Sequence, residues 1–151
     1  MAVAEVTEDD ATVRVLRPRR AAPDEAARVT RAEIDLAAAR HNLRELRRVL
    51  EADARRASRP PAAVWGVLKA DAYGHGATQI GVTLERAGVD GLCVALLEEG
   101  IELRAAGVRV PILVMGGYWG RYRDGVEALI HHDLTPVVYD PSHVESLARA
   151  L

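Results

Sequence analysis

Four short apolar runs, AVWGVLK, GLCVAL, VPILVM and LTPVV, are each followed by a segment of helical character, and this repeated order constrains the fold more than any other feature. Apolar runs of strand length are what parallel sheets use, because both faces of such a sheet are covered. Parallel neighbours need crossover connections, and strands separated by helical patterns imply right-handed βαβ units. Strands are expected at Val64 to Lys69, Gly91 to Leu96, Val110 to Met115 and Leu134 to Val138. The helices between them carry their own stops: ATQIGVTLERAG ends at Gly88 and LEEGIELRAAG at Gly107. A helix around VEALIHH follows the loop GGYWGRYRDG. In DPSHVESLARAL, Asp140 is an N-cap candidate and Pro141 suits the first turn. Upstream, RAEIDL alternates as a short strand would. Leu36, Leu43, Leu46 and Leu50 then mark one face of a helix that ends before Pro60 and Pro61.

Two architectures accommodate this order. A doubly wound sheet usually carries a glycine fingerprint such as G-x-G-x-x-G after its first strand, and nothing here matches it. A (β/α)8 barrel fits better, but typically takes about 250 residues. The chain has 151. Residues 1–29 show no sustained period and read as a flexible extension, leaving residues 30–151 as about half a barrel. The expectation is therefore an α/β fold: a partial (β/α)8 TIM-type barrel with four barrel strands and their helices, preceded by a strand-helix unit. Its two open edges would invite association. The reading expects the N-terminal piece of a longer product or a truncated reading frame.

A net charge of −2 gives no general attraction to nucleic acid or to a membrane surface. Arg14, Arg17, Arg19 and Arg20 could form a nucleic-acid arm, but neighbouring acids offset them. No run approaches the roughly 18 apolar residues of a membrane span, and an acidic N-terminus does not suit a signal peptide. The single cysteine, Cys93, lies in an apolar run and reads as a small buried hydrophobe in a reducing compartment. These features place the chain in the cytoplasm. His131 and His132 are adjacent, so they point apart on a helix and make a poor metal pair. Glu98 and Glu99 suit the positive end of a helix dipole. His75 reads as a loop imidazole with a local hydrogen bond or as a group tuning Lys69. The aromatics of GGYWGRYRDG, Tyr118, Trp119 and Tyr122, border the barrel mouth or a subunit contact, or only cover the barrel top.

Lys69 is the sole lysine; all other members of the twenty Lys and Arg residues are arginine. Codon bias accounts for the missing lysines but not for the one retained. Strand alternation puts Trp65, Val67 and Lys69 on one face, with Lys69 last, at the carboxyl end where barrel active sites are built. Desolvation there disfavours the charged amine, and a neutral amine condenses with carbonyl compounds. Arginine stays protonated and cannot. The position also suits a strand-end lysine that simply reaches solvent. Tyr73, between Asp71 and the glycines Gly74 and Gly76, offers a phenol donor suited to phosphate, or is an ordinary loop tyrosine. An aldehyde trap beside a phosphate donor suggests pyridoxal 5′-phosphate.

The stretch KADAYGHG, Lys69 to Gly76, resembles the cofactor-binding motif of the bacterial alanine racemase family. AEIDLAAARHNLREL is similar to the family's opening strand and helix, and LLEEGIELRAAGVRVPILVMGG and DLTPVVYD are similar to its next units. The resemblance runs from about Arg31 to the C-terminus. It implies that Lys69 holds pyridoxal phosphate as an internal aldimine and serves as acid and base on one face of the substrate α-carbon. It also implies that Tyr73 binds the cofactor phosphate and that Val67 and Met115 pack near the cofactor. By the same resemblance the family is a homodimer whose C-terminal β-domain supplies the opposing tyrosine from a partner subunit and pairs with the opening strand. That domain is expected to be absent here, and the isolated chain inactive. The implied activity is interconversion of L- and D-alanine for peptidoglycan precursors. A noncatalytic pyridoxal-phosphate-binding protein and a broad-specificity amino-acid racemase are the alternatives.

Overall fold

The computed structural model describes residues 32–117 and 122–151, with the side chains of 122–124 excepted. The expectations for residues 1–29, for the arginine arm and for Tyr118, Trp119 and Tyr122 lie outside the described residues or side chains. The chain divides into the units Met1–Glu33 and Ile34–Leu151. The second carries the elements that follow.

Four strands, β1 (Trp65–Val67), β2 (Gly91–Val94), β3 (Ile112–Val114) and β4 (Thr135–Pro136), form one parallel sheet in the order β1-β2-β3-β4. Sequential parallel neighbours joined through helices are the connectivity of a (β/α)8 barrel, of which these are consecutive units. Register pairs Trp65 with Gly91, Val67 with Cys93, Cys93 with Leu113 and Leu113 with Thr135. Those residues share one face. The opposite face presents Gly66, Leu92, Val94, Ile112 and Val114 to the helices, and the last four are completely buried. Leu103, Val108, Val126 and Leu129 belong to the same core. Burying each such side chain favours folding by about 1.5–3 kcal/mol.

Each strand is shorter than expected. After the first two strands the next helix begins at Lys69 and at Leu97, so the apolar runs there reach beyond the ladder. Ala32 to Asp35 form no strand, contrary to the expectation for RAEIDL. Alternation alone makes no strand without a neighbouring chain to accept its hydrogen bonds.

The helices are α1 (Leu36–Arg56), α2 (Lys69–Gly74), α3 (Ala77–Arg86), α4 (Leu97–Ala105), α5 (Tyr122–His131) and α6 (Pro141–Ala150). The Asp35 carboxylate caps α1 by accepting from Ala37 N at 2.8 Å and Ala38 N at 3.0 Å. Asp140 caps α6 as expected, accepting from Ser142 N at 2.8 Å with Pro141 following. The face of α1 is narrower than its leucine spacing suggests. Leu43 is buried, but Leu46 is 47% exposed and Ala54 takes a core position instead. Close helix packing depends on Gly81 of α3, where an added Cβ would lie 3.0 Å from Leu103 Cδ2 and 3.3 Å from Leu68 Cδ1. Gly81→Val should therefore lower stability by about 1–3 kcal/mol through overpacking, read as a lower urea midpoint. An unchanged midpoint would show that the two leucines can move aside.

At the amino ends of the strands, charged side chains hold the loops. The Glu85 carboxylate accepts from Arg109 N at 2.6 Å and Val110 N at 2.8 Å. Asp90 accepts from Val64 N at 2.6 Å and from Arg47 Nη2 at 2.8 Å, joining α1 to the start of β1. The Val64 N–H, and then Arg47, hold its carboxyl below the ordinary carboxylate range against the opposing effect of burial. A depressed folded pKa stabilises above the unfolded value of about 3.9 and is lost as pH falls through the folded value. Asp90→Asn is thus expected to cost about 1 kcal/mol at neutral pH, allowing for partial solvent screening. The gap between wild type and variant should close as pH drops below about 4. A gap that stays constant across an acid titration of thermal stability would remove the ionic part of this account.

Candidate active site

Because all four strands are parallel, their carboxyl ends lie on one edge of the sheet, and Lys69, Leu96, Met115 and Val138 all follow strands there. Lys69 is half-buried at this edge. Its direction does not come from strand alternation, as the sequence suggested. Leu68 has φ −118° and ψ 12°, so the extended run ends before the lysine.

The backbone after Lys69 is unusual. Ala70, Asp71, Ala72 and Tyr73 have φ of 54°, 55°, 53° and 56°, a left-handed helical turn built without glycine. For L-residues this conformation costs about 1–2 kcal/mol each, so the surroundings must impose it. Several groups do. Ala72 N donates to Leu68 O at 2.8 Å and Gly76 N to Asp71 O at 2.9 Å. The Asp71 carboxylate accepts from Ala77 N at 2.7 Å, tying the turn to the start of α3. Glu99 reaches across from α4 and accepts from Ala70 N at 2.6 Å. Leu68 and Ala72 are buried in the core on either side of Lys69. Gly76, with φ 91°, takes the chain out of the turn into α3, where glycine meets little steric cost.

Around this turn the expected site residues take distinct positions. Val67 is 40% exposed and Trp65 41% exposed, on the sheet face that the helices leave uncovered. Cys93 lies beside Val67 in register and is buried, which pushes its thiol pKa up. Met115 is half-buried; its N–H donates to Val94 O at 2.8 Å and its carbonyl accepts from the Tyr139 hydroxyl. Tyr73 is 60% exposed. His75 makes a local contact, Nδ1 lying 2.9 Å from Ala72 O.

Sequence reasoning grouped Glu98 and Glu99 as helix-dipole acids, but the structure separates them. Glu98 is exposed, whereas Glu99 accepts from Ala95 N at 2.8 Å and Leu96 N at 3.0 Å besides Ala70 N. The cap was legible from an acid at the third helical position; the link to the lysine turn depends on β1 and β2 being neighbours. Asp71, likewise, showed its role only once the turn had brought it to Ala77.

A cavity of about 310 Å³ lies at the opposite edge, lined by Arg104, Ala105, Arg109 and His131 to Asp133. It is remote from the lysine. His131 and His132 meet there edge to face at 4.8 Å, and among the described residues no three His, Cys, Asp or Glu side chains gather to hold a metal ion. No helix among the described residues is long and apolar enough to cross a membrane.

A β/α-barrel domain with a single lysine fixed on a strained turn at the carboxyl edge of its sheet is the class that this fold and site define. The profile of the family "Alanine racemase, N-terminal domain" matches residues 34–151, so the chain belongs to the alanine racemase family. It is 63% identical over 124 residues to the alanine racemase of Sorangium cellulosum, covering 82% of this chain and 31% of that protein. Against the alanine racemase of Synechocystis it is 41% identical, covering 75% of this chain and 28% of the relative. The solved alanine racemase of Clostridium difficile superposes with a TM-score of 0.65 at 35% identity, over 78% of this chain and 28% of that one. The chain thus spans about a third of the length of the curated relatives it matches.

Proposed function

We propose that this domain is the cofactor-anchoring part of an alanine racemase that interconverts L- and D-alanine. The observation that carries the reading is the placement of the only lysine on a left-handed turn that both Glu99 and Asp71 hold in place. Strain of this kind concentrates where geometry serves chemistry.

The residues present fit pyridoxal 5′-phosphate. Lys69 would hold its aldehyde carbon through Nζ, and the hydroxyl of the exposed residue Tyr73 would donate to its phosphate. Val67, half-exposed on the uncovered sheet face, and Met115, after the next strand but one, would supply apolar contacts. When bound, the cofactor supplies an electron sink for negative charge developing at the substrate α-carbon. Lys69 Nζ would take the α-proton on one face of the substrate or return a proton to it. A single base tends to return the proton to the side it left, so inversion requires a second group on the opposite face. Tyr139 is a poor candidate for that group, because its hydroxyl already donates to the Met115 carbonyl. The resemblance to the alanine racemase family is what assigns the second group to a partner subunit of a homodimer, with cytoplasmic supply of peptidoglycan precursors as the role. The 151-residue chain alone is expected not to racemise alanine. Detectable conversion of L- to D-alanine by the purified chain would overturn that part.

Anchoring is tested directly by incubating the chain with pyridoxal phosphate, reducing with borohydride and mapping the adduct by mass spectrometry. Modification should concentrate on Lys69 in the folded chain and fall when the chain is denatured. An adduct confined to the terminal amine, or equal in both states, would sink the assignment.

A further inference from the structure

We propose that Glu99 is a positioning residue for Lys69, holding the peptide that follows the lysine and so fixing the direction from which its side chain leaves the backbone. The inference rests on the reading of Lys69 as the anchoring amine. Glu99 divides its two carboxylate oxygens between two jobs. Oε2 accepts from Ala95 N at 2.8 Å and Leu96 N at 3.0 Å, satisfying N–H groups that the start of α4 leaves without helical acceptors. Leu96 has no side-chain oxygen, so this is half of a capping box. Oε1 points away from that cap and accepts from Ala70 N at 2.6 Å.

The Ala70 N–H belongs to the Lys69–Ala70 peptide, and Ala70 is the first of the four residues in the left-handed turn. A right-handed continuation is the intrinsically favoured path. An acceptor fixed from β2 and α4 at this peptide therefore opposes relaxation of the turn at the point where it would most directly re-aim Lys69. Asp71, the second residue of that turn, ties it to the start of α3 through Ala77 N. The lysine strand and its neighbour are thereby joined at the edge where the chemistry is placed, through one ionised side chain. A carboxylate suits this task better than an amide. It accepts on both oxygens in charge-assisted bonds, whereas glutamine has one acceptor oxygen and would turn an NH2 group toward an N–H donor.

The test uses the whole chain and the variants Glu99→Gln and Glu99→Asp, with Glu98→Gln as a control on the exposed neighbour. Three quantities are read: hydrogen exchange of the Ala70 amide by NMR, acylation of Lys69 by acetic anhydride, and borohydride trapping of pyridoxal phosphate at Lys69. In Glu99→Gln the Ala70 amide should exchange at least about tenfold faster while β2 and β3 amides keep their protection. Trapping at Lys69 should fall by about tenfold or more, and its acylation rate should change, because small misplacements of a reacting group have large kinetic effects. Glu99→Asp keeps a carboxylate at the helix start but shortens its reach. It should retain thermal stability near wild type without restoring Ala70 protection.

Wild-type values for Ala70 exchange and Lys69 acylation in Glu99→Gln would overturn the proposal. So would equal losses in Glu98→Gln, which would reduce Glu99 to a contributor of helix stability. Should Glu99→Gln not fold, the decision passes to the wild type and Glu99→Asp. Ala70 exchanging as fast as a free peptide in the former, or wild-type protection in the latter, would equally refute it. The anchoring reading fails separately, if the wild-type chain traps no pyridoxal phosphate at Lys69 while the exchange and acylation results still follow Glu99.

Discussion

Lys69→Arg is expected to abolish capture of pyridoxal phosphate, lowering the borohydride-stable adduct by about two orders of magnitude or more. The substitution preserves positive charge, length and much of the apolar stem, so a loss this large isolates one property, the ability of the amine to become neutral and attack an aldehyde. Guanidinium stays protonated at any pH the protein survives. Background capture is easily separated because Lys69 is the only lysine, leaving the terminal amine as the other reactive site. Structural damage should be slight: Lys69 is half-buried, and the hydrogen bonds that hold its turn come from Ala70, Ala72 and Ala77 N–H groups. Far-ultraviolet circular dichroism and thermal midpoint should therefore match wild type. An arginine variant that still gives the visible absorbance of bound cofactor would show that the aldehyde is held elsewhere.

Much of the fold was legible because burial and periodicity are local properties of the chain. The runs GLCVAL and VPILVM became β2 and β3, whose residues Leu92, Val94, Ile112 and Val114 are fully buried. Asp140 and Pro141 opened α6 as their chemistry dictates. RAEIDL shows the limit. Its alternation fits a strand, yet Ala32 to Asp35 form none, since a ladder needs a second strand that alternation cannot supply. The lysine was legible as a singular residue at a strand end. Its turn was not. Four successive left-handed residues without glycine contradict local preference at each position, and the groups that impose them, Glu99 above all, come from elements well separated in the sequence. Local rules fail where tertiary contacts override them, and that failure is most expected at a functional site.

The second large effect lies at the other end of the sheet, where Arg104→Met should lower unfolding stability by about 3 kcal/mol. The Arg104 side chain is only 9% exposed, yet among the described residues the carboxylate paired with it, Asp133 Oδ2, is 3.9 Å away and fully exposed. Backbone carbonyls take that place. Nε donates to His132 O at 3.0 Å, Nη1 to Val108 O at 3.0 Å and to Val110 O at 2.8 Å, and Nη2 to Asp133 O at 2.8 Å. Burial lowers its pKa from the ordinary arginine value, with Asp133 opposing that effect. These carbonyls lie in the loops that lead into β3 and β4, so one planar fork sets the spacing of two neighbouring strands before they enter the sheet. Methionine fills comparable volume but leaves those acceptors to find water or remain unpaired. Lysine offers a compact charge without the fork and should recover only part of the loss. The expected readout is a urea midpoint lower by roughly 1–2 M at unchanged slope. A shift below about 0.3 M would mean that water replaces the guanidinium at little cost. Because Arg104 acts at the amino ends of the strands and Lys69 at the carboxyl ends, the variant should still capture cofactor at the wild-type level in conditions where it remains folded. Barrel folds separate stability from chemistry in this way. Loss of capture in folded Arg104→Met would show that strand spacing at one edge reaches the lysine at the other.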